Sequence, residues 1–249
     1  MSPVTTFDPF EMMAFRGYID PATGRQDEYL SLSHFVYSER LAGVNEQFRQ
    51  YLLKLEDPEL FRLEVDGVGI AGQDSDDWTA AVQQLLYSGI FMQALSNREC
   101  FGELLGNADQ LSIASCAFGQ DAAMAMGRFI DDVRQPKDKL KVLFLGDCRD
   151  DEYIGNCLSV IFGKRPAQCL LALEDDGCSI GVSAFARKCL APFSLFNASL
   201  TDEALAESIR RRCTHVFHFE GGQGSDLTNR VIDLLTAAQV KITLIPAKP

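Results

Sequence analysis

Short apolar runs alternate with amphipathic segments through the second half of the chain. Strands are expected at 140–145, 167–173, 193–197, 215–219 and 240–245, the third weaker than the others. Helical patterns fall between them. They cover 151–162 and include 184–189, then run from a Thr201 cap to Arg212, and over 227–238. Strands apolar on both faces, alternating with helices, specify a parallel sheet covered on both sides. The expected fold is therefore a Rossmann-like, doubly wound sheet of five strands, with the common order 3-2-1-4-5.

The first half has a different rhythm. Leu41, Val44, Phe48, Leu52 and Leu55 recur at helical spacing, and Asp57-Pro58 ends or restarts that helix. Residues 66–77 contain three glycines and read as a loop; Asp76 or Asp77 can cap a helix carrying Trp78, Val82, Leu85, Leu86 and Phe91. Ser96-Asn97-Arg98-Glu99 has the form of a capping box, with Gly106 ending the short helix behind it. A short strand is expected at 111–117 and a helix at 121–133. The stretch up to about residue 36 is expected to be irregular or to hold short strands. The polar, proline-containing stretch 134–139 separates the two patterns. The overall class is thus α/β, with a mainly helical domain at 1–137 and the Rossmann-like domain at 138–249.

Charge follows the same division. Of the net −12, residues 1–137 carry 21 Asp and Glu against 10 Lys and Arg, and residues 138–249 carry 14 against 13. Bulk attraction to nucleic acid or an anionic membrane is not expected. The acidic half leaves open a protein partner or self-association. At 249 residues, 47% apolar and 23% charged, the composition is globular. No run is long and apolar enough to span a bilayer, and the start lacks a signal-peptide pattern. The eight cysteines contain no C-x-x-C pair, which suggests free thiols in a reducing, cytoplasmic compartment, the host's if the protein is viral. Three histidines and no paired cysteines give no expected metal site. His215 and His218, three apart on one strand, face opposite sides.

In the 3-2-1-4-5 order, strands one and four meet at the switch point, and ligands bind beyond their carboxyl ends. The loop after strand one holds Gly146, Asp147 and Arg149. The loop after strand four holds Gly221, Gly222, Gly224, Ser225 and Asp226, and opens into a helix. Glycines let backbone N–H groups approach an anion, the helix N-terminus adds positive potential, and an arginine supplies a fork of donors. Ser225 can donate to phosphate or simply cap the helix, and Asp226 can also be a cap. Glu174, in the Glu174-Asp175-Asp176 end of strand two, suits a ribose hydroxyl, with an exposed acidic loop as the alternative. The candidate ligand is a small nucleotide, and no cofactor is required.

Gly146-x-x-Arg149 and Phe219-Glu220-Gly221-Gly222-Gln223-Gly224-Ser225 resemble the SLOG superfamily of nucleotide-binding domains, which includes the LOG phosphoribohydrolases. The family loop is Pro-Gly-Gly-x-Gly-Thr. Here Glu220 and Ser225 replace the proline and threonine, and Thr228 stands where the hydrolases carry a catalytic glutamate. The resemblance implies binding of a nucleotide derivative, such as ADP-ribose or NAD, without the hydrolase's acid. Residues 29–40 and 95–106, with Trp78, more faintly resemble the NADAR N-glycosidases. The family's glutamate before the histidine is Ser33 here, next to His34, which implies a binding version that has lost its chemistry. Two alternatives remain open. One is a structural or interaction subunit of a viral or cellular assembly; the other is an active N-glycosidase or nucleotide hydrolase.

Overall fold

The computed structural model describes residues 5–68, 76–114, 118–134, 140–163, 167–220 and 225–247. Of the loop expected at 66–77, residues 66–68 and 76–77 belong to the flanking helices, and 69–75 lie outside this description, as do the Trp78 side chain, the linker at 135–139 and residues 115–117 and 221–224. The chain forms two compact units: Met1–Gly17 with Asp27–Pro136, and Tyr18–Gln26 with Lys137–Pro249. A division at 137/138 does not anticipate that residues 18–26 group with the second unit.

The first unit is mainly helical. Strand β1 (Thr5–Phe7) pairs in parallel with β4 (Leu111–Ile113). Strands β2 (Phe15–Asp20) and β3 (Arg25–Tyr29) form a hairpin. Then come α1 (Leu32–Leu41), α2 (Glu46–Leu52), α3 (Pro58–Val68), α4 (Asp76–Ser96), α5 (Arg98–Gly106) and α6 (Gly119–Arg134). The long helix α4 packs against α1 and α6. At Gly89 a Cβ would lie 2.8 Å from Phe35 Cδ1, so glycine permits the close approach of α1. Phe10, Phe35, Phe61, Phe91, Phe101 and Phe129 build an aromatic core.

Two local expectations are corrected here. The pattern over 41–55 is not one helix. Gly43 adopts φ +73°, and the Asn45 side chain accepts from Phe48 N–H at 3.1 Å to begin α2. Leu52 and Leu55 are buried, but Val44 falls in the break and is exposed. Nor does Ser96 start a capping box. It still belongs to α4, and its hydroxyl donates back to the Met92 carbonyl at 3.1 Å. Helix α5 begins after Asn97, whose amide donates to the Ala14 and Gln93 carbonyls. By contrast Asp57 accepts from Glu59 and Leu60 N–H, and Pro58 opens α3, where its missing N–H costs nothing.

The second unit is an α/β fold around a parallel sheet. It comprises β5 (Lys141–Leu145), α7 (Asp151–Phe162), β6 (Cys169–Leu173), α8 (Ser179–Lys188), β7 (Phe193–Phe196), α9 (Asp202–Arg212), β8 (His215–Phe219), α10 (Asp226–Ala237) and β9 (Ile242–Ile245). The order is β7-β6-β5-β8-β9, all parallel, which is the expected 3-2-1-4-5. Val142–Leu145 and the whole of β6 are buried. Helices α7 and α8 pack together, as do α9 and α10. Right-handed crossovers put the first pair on one face and the second on the other, because the winding reverses between β5 and β8. Within this unit, two bonds hold Tyr18 and Ile19. The Tyr18 hydroxyl donates to the Ala191 carbonyl at 2.9 Å, and Ile19 N–H donates to Ser183 Oγ at 2.7 Å.

Candidate functional site

Three chain segments meet at the carboxyl ends of β5, β6 and β8. Gly146 follows β5 with φ +125°, and a Cβ there would sit 2.5 Å from the Phe219 carbonyl oxygen. Glycine is therefore required twice over, by backbone angle and by space. A Cβ on Gly177 would strike the Asp147 side chain and lie 2.6 Å from its Cα. The absence of these two Cβ atoms lets the segments close on one another.

The centre of this junction is Asp176, only 4% exposed. Its Oδ2 accepts from Gly146 N–H at 2.8 Å, and its Oδ1 accepts from Gly177 N–H at 3.1 Å and from the Thr228 hydroxyl at 3.0 Å. The Cys178 thiol lies 4.0 Å from Oδ2. Thr228 is itself fully buried in the first turn of α10. Its hydroxyl is 2.6 Å from Ser225 Oγ, and its N–H donates to Ser225 Oγ at 3.1 Å. Burial pushes the Asp176 carboxyl up to about 6, against the pull of its hydrogen bonds to Gly146, Thr228 and Gly177; Asp147 adds to the rise. Burial and the Asp176 charge also raise the Cys178 thiol.

The sequence-expected residues distribute around this junction. Asp147 is half-buried and accepts from Arg149 Nε at 3.1 Å, while the Arg149 side chain is 81% exposed. Glu174 is half-buried, and its Oε2 accepts from Ala198 N–H at 3.3 Å, beside the loop after β7. Ser225 is the N-cap of α10, which makes exposed Asp226 its first residue and not its cap. Gly221, Gly222 and Gly224 lie outside the described residues. Sequence reasoning missed Asp176 and Thr228. Asp176 stands in the same acidic triplet as Glu174, and residue type alone does not separate them. Thr228 stands where the resemblance places a glutamate, which gives no hint of its bond to Asp176. No local signal marks either residue, because the Ser225-x-x-Thr228 turn and the Asp176-Gly177 turn are brought together only by the fold.

In the first unit, Ser33 and His34 are both held by internal partners. The Ser33 hydroxyl donates to the Pro9 carbonyl at 2.9 Å. His34 Nε2 donates to the Leu55 carbonyl at 2.8 Å, its Nδ1 lies 2.7 Å from Ser31 Oγ, and its ring stacks on Phe61. Burial lowers its pKa, and the bond to Leu55 opposes this. Nearby is an ionic network that sequence reasoning did not identify. Arg49 is paired with Asp27 and, at 3.4 Å, with Glu39, and these side chains are 3%, 9% and 1% exposed. The Tyr29 hydroxyl donates to Glu39 Oε1 at 2.5 Å, and Glu46 closes the network on the solvent side. Burial lowers the Arg49 pKa, but Tyr29, Asp27 and Glu39 more than reverse this and leave it raised. The network ties β3, α1 and α2 together.

A cavity of about 180 Å³ lies at the amino end of β8, lined by Ile209, Arg210, Cys213, Thr214, Val216 and Val240. It is at the opposite end of the sheet from the junction and smaller than a nucleotide site. Among the described residues, no cluster of three or more His, Cys, Asp or Glu side chains could hold a metal ion. None of the described helices is long and apolar enough to cross a membrane. No protein-family model matches this chain, and no curated protein matches it.

Proposed function

We propose that the second unit binds a nucleotide of the ADP-ribose or NAD class at the switch point between β5 and β8. The strand order β7-β6-β5-β8-β9 carries this reading, because it sets the ends of β5 and β8 side by side where open α/β sheets take ligands. Gly146 presents backbone close to the Phe219 carbonyl, and α10 opens beside it with its N–H groups and positive end. Among the described residues Arg149 pairs within its own loop at the solvent edge, so its guanidinium can turn from Asp147 to a phosphate. Gly221, Gly222 and Gly224 supply further backbone donors by their sequence. Asp147 or Glu174 receives a ribose hydroxyl. The first unit acts as a partner domain without glycosidase chemistry: Ser33 replaces the carboxylate of the NADAR pattern and His34 is a core residue.

Isothermal titration with ADP-ribose, NAD and AMP tests the reading. Saturable binding is expected, weakened roughly tenfold by Arg149→Ala, as fits the loss of one charge-assisted phosphate contact. No binding of any of the three, or an unchanged affinity in Gly222→Asp, overturns it.

A further inference from the structure

We infer that Asp176 is a positioning residue for this site, acting through Thr228 to decide whether the Ser225 hydroxyl points into the fold or out toward the ligand. The inference rests on the nucleotide-binding reading above and names a regulation of that same site.

The geometry follows from which partners can reverse. Asp176 has three close donors, and two of them are backbone N–H groups that can only donate. The third, the Thr228 hydroxyl, can donate or accept. When Asp176 is ionised, Thr228 must donate to Oδ1. Its oxygen then accepts from the Ser225 hydroxyl 2.6 Å away, which turns that proton inward. A proton added to Asp176 from solvent leaves both N–H bonds intact and donates from Oδ1 to Thr228. Thr228 in turn donates to Ser225 Oγ, which already accepts the Thr228 N–H. The Ser225 hydroxyl is left to donate outward from the exposed start of α10. The relay links residues 30 and 52 positions apart in sequence from Asp176, in both cases with the Asp176 side buried. Burial of Asp176 brings the switch to about pH 6, and the titratable groups acting on it are Asp147 and Cys178, with Cys148 beside Cys178.

Two measurements on the full chain test this. In proton NMR titrations from pH 4.5 to 7.5, the amides of Gly146, Gly177 and Ser225 are expected to shift with one midpoint near 6. Thr228→Val is expected to leave the Gly146 and Gly177 titrations and abolish that of Ser225, while Thr228→Ser restores it. Ser225 titrating in Thr228→Val, or failing to titrate in the wild type, overturns the relay. Should Thr228→Val not fold, Ser225→Ala decides in the second measurement. That measurement is the affinity for ADP-ribose, whose pyrophosphate does not titrate in this range. It is expected to tighten roughly fivefold from pH 7.5 to 5.5 in wild type and to lose that dependence in Ser225→Ala, one hydrogen bond being at stake. A dependence that survives Ser225→Ala overturns the relay. Absence of ADP-ribose binding at every pH overturns the nucleotide reading, and the amide titrations still judge the relay.

Discussion

Asp27 and Glu39 in the first unit face a guanidinium; Asp176 in the second faces two backbone N–H groups and a hydroxyl. Both arrangements take carboxyl groups out of water, but they resolve the cost differently. The Arg49 network supplies opposite charge in a fork geometry and joins a strand to two helices. Such a pair resists any change, because removing one partner strands the other. Among the described residues the hydrogen bonds to Asp176 are neutral, so desolvation is incompletely offset and its carboxyl is pushed up to about 6. It also sits at the strand ends, where α/β sheets bind ligands. Paired burial makes a brace, whereas unpaired burial leaves a group that changes state under mild conditions, as functional sites often require.

The contrast can be broken most directly at Arg49. Arg49→Met should leave two acidic side chains buried without their cation and cost about 3–5 kcal/mol in urea denaturation. A loss below about 1 kcal/mol would mean that the network relaxes to solvent and is no brace.

Next in size is the pH dependence of Asp176. The folded state holds this proton up to about 6, whereas the reference value is 3.8. Across that window the folded state carries more protons than the unfolded one, so stability falls as pH rises and the loss is complete above the upper value. The difference between wild type and Asp176→Asn should therefore shift against wild type by about 2 kcal/mol between pH 4 and 7, read from denaturation midpoints. A flat difference would place Asp176 with the compensated acids and erase the contrast.

The smallest effect sharpens the comparison by testing the frame around Asp176. Gly146→Ala forces a side chain into φ +125° and against the Phe219 carbonyl, and should cost roughly 1–3 kcal/mol. It should also speed amide exchange at residue 177, since the Asp176 bond to Gly146 shares its carboxyl group with the bond to Gly177. A change confined to β5 would show that the segments pack independently.

Much of the second unit was legible in the sequence because its signals are local. The apolar runs of β5, β6 and β8, the Thr201 cap and the turn after β5 each state their element within a few residues. Thr201 Oγ indeed accepts from Ala204 N–H at 3.3 Å, and the strand order follows the expected reversal. The first unit was harder. The apolar spacing from Leu41 to Leu55 is helical in period, yet Gly43 and Asn45 break it. Ser96 and Glu99 have capping-box spacing, yet α4 runs on through Ser96. In both places a periodic pattern was compatible with two boundaries, and packing chose between them. At the candidate site the sequence located Gly146, Arg149 and Ser225 near one another but chose Glu174 over Asp176, because exposure of adjacent carboxylates is not encoded in their type.

The sequence alone determined the alternation that makes a doubly wound sheet, and with it the place where two loops converge. Hydrophobic burial on both strand faces and the right-handed crossover leave few other solutions. Tertiary structure decided which acid lies inside. Asp176 is buried because Gly177 in its own turn and Gly146 and Thr228, brought in from two other segments, together satisfy its oxygens; among the described residues the Glu174 side chain, two positions away, accepts only from the Ala198 N–H. A buried carboxyl group needs several donors at once, and no stretch of neighbouring residues supplies them.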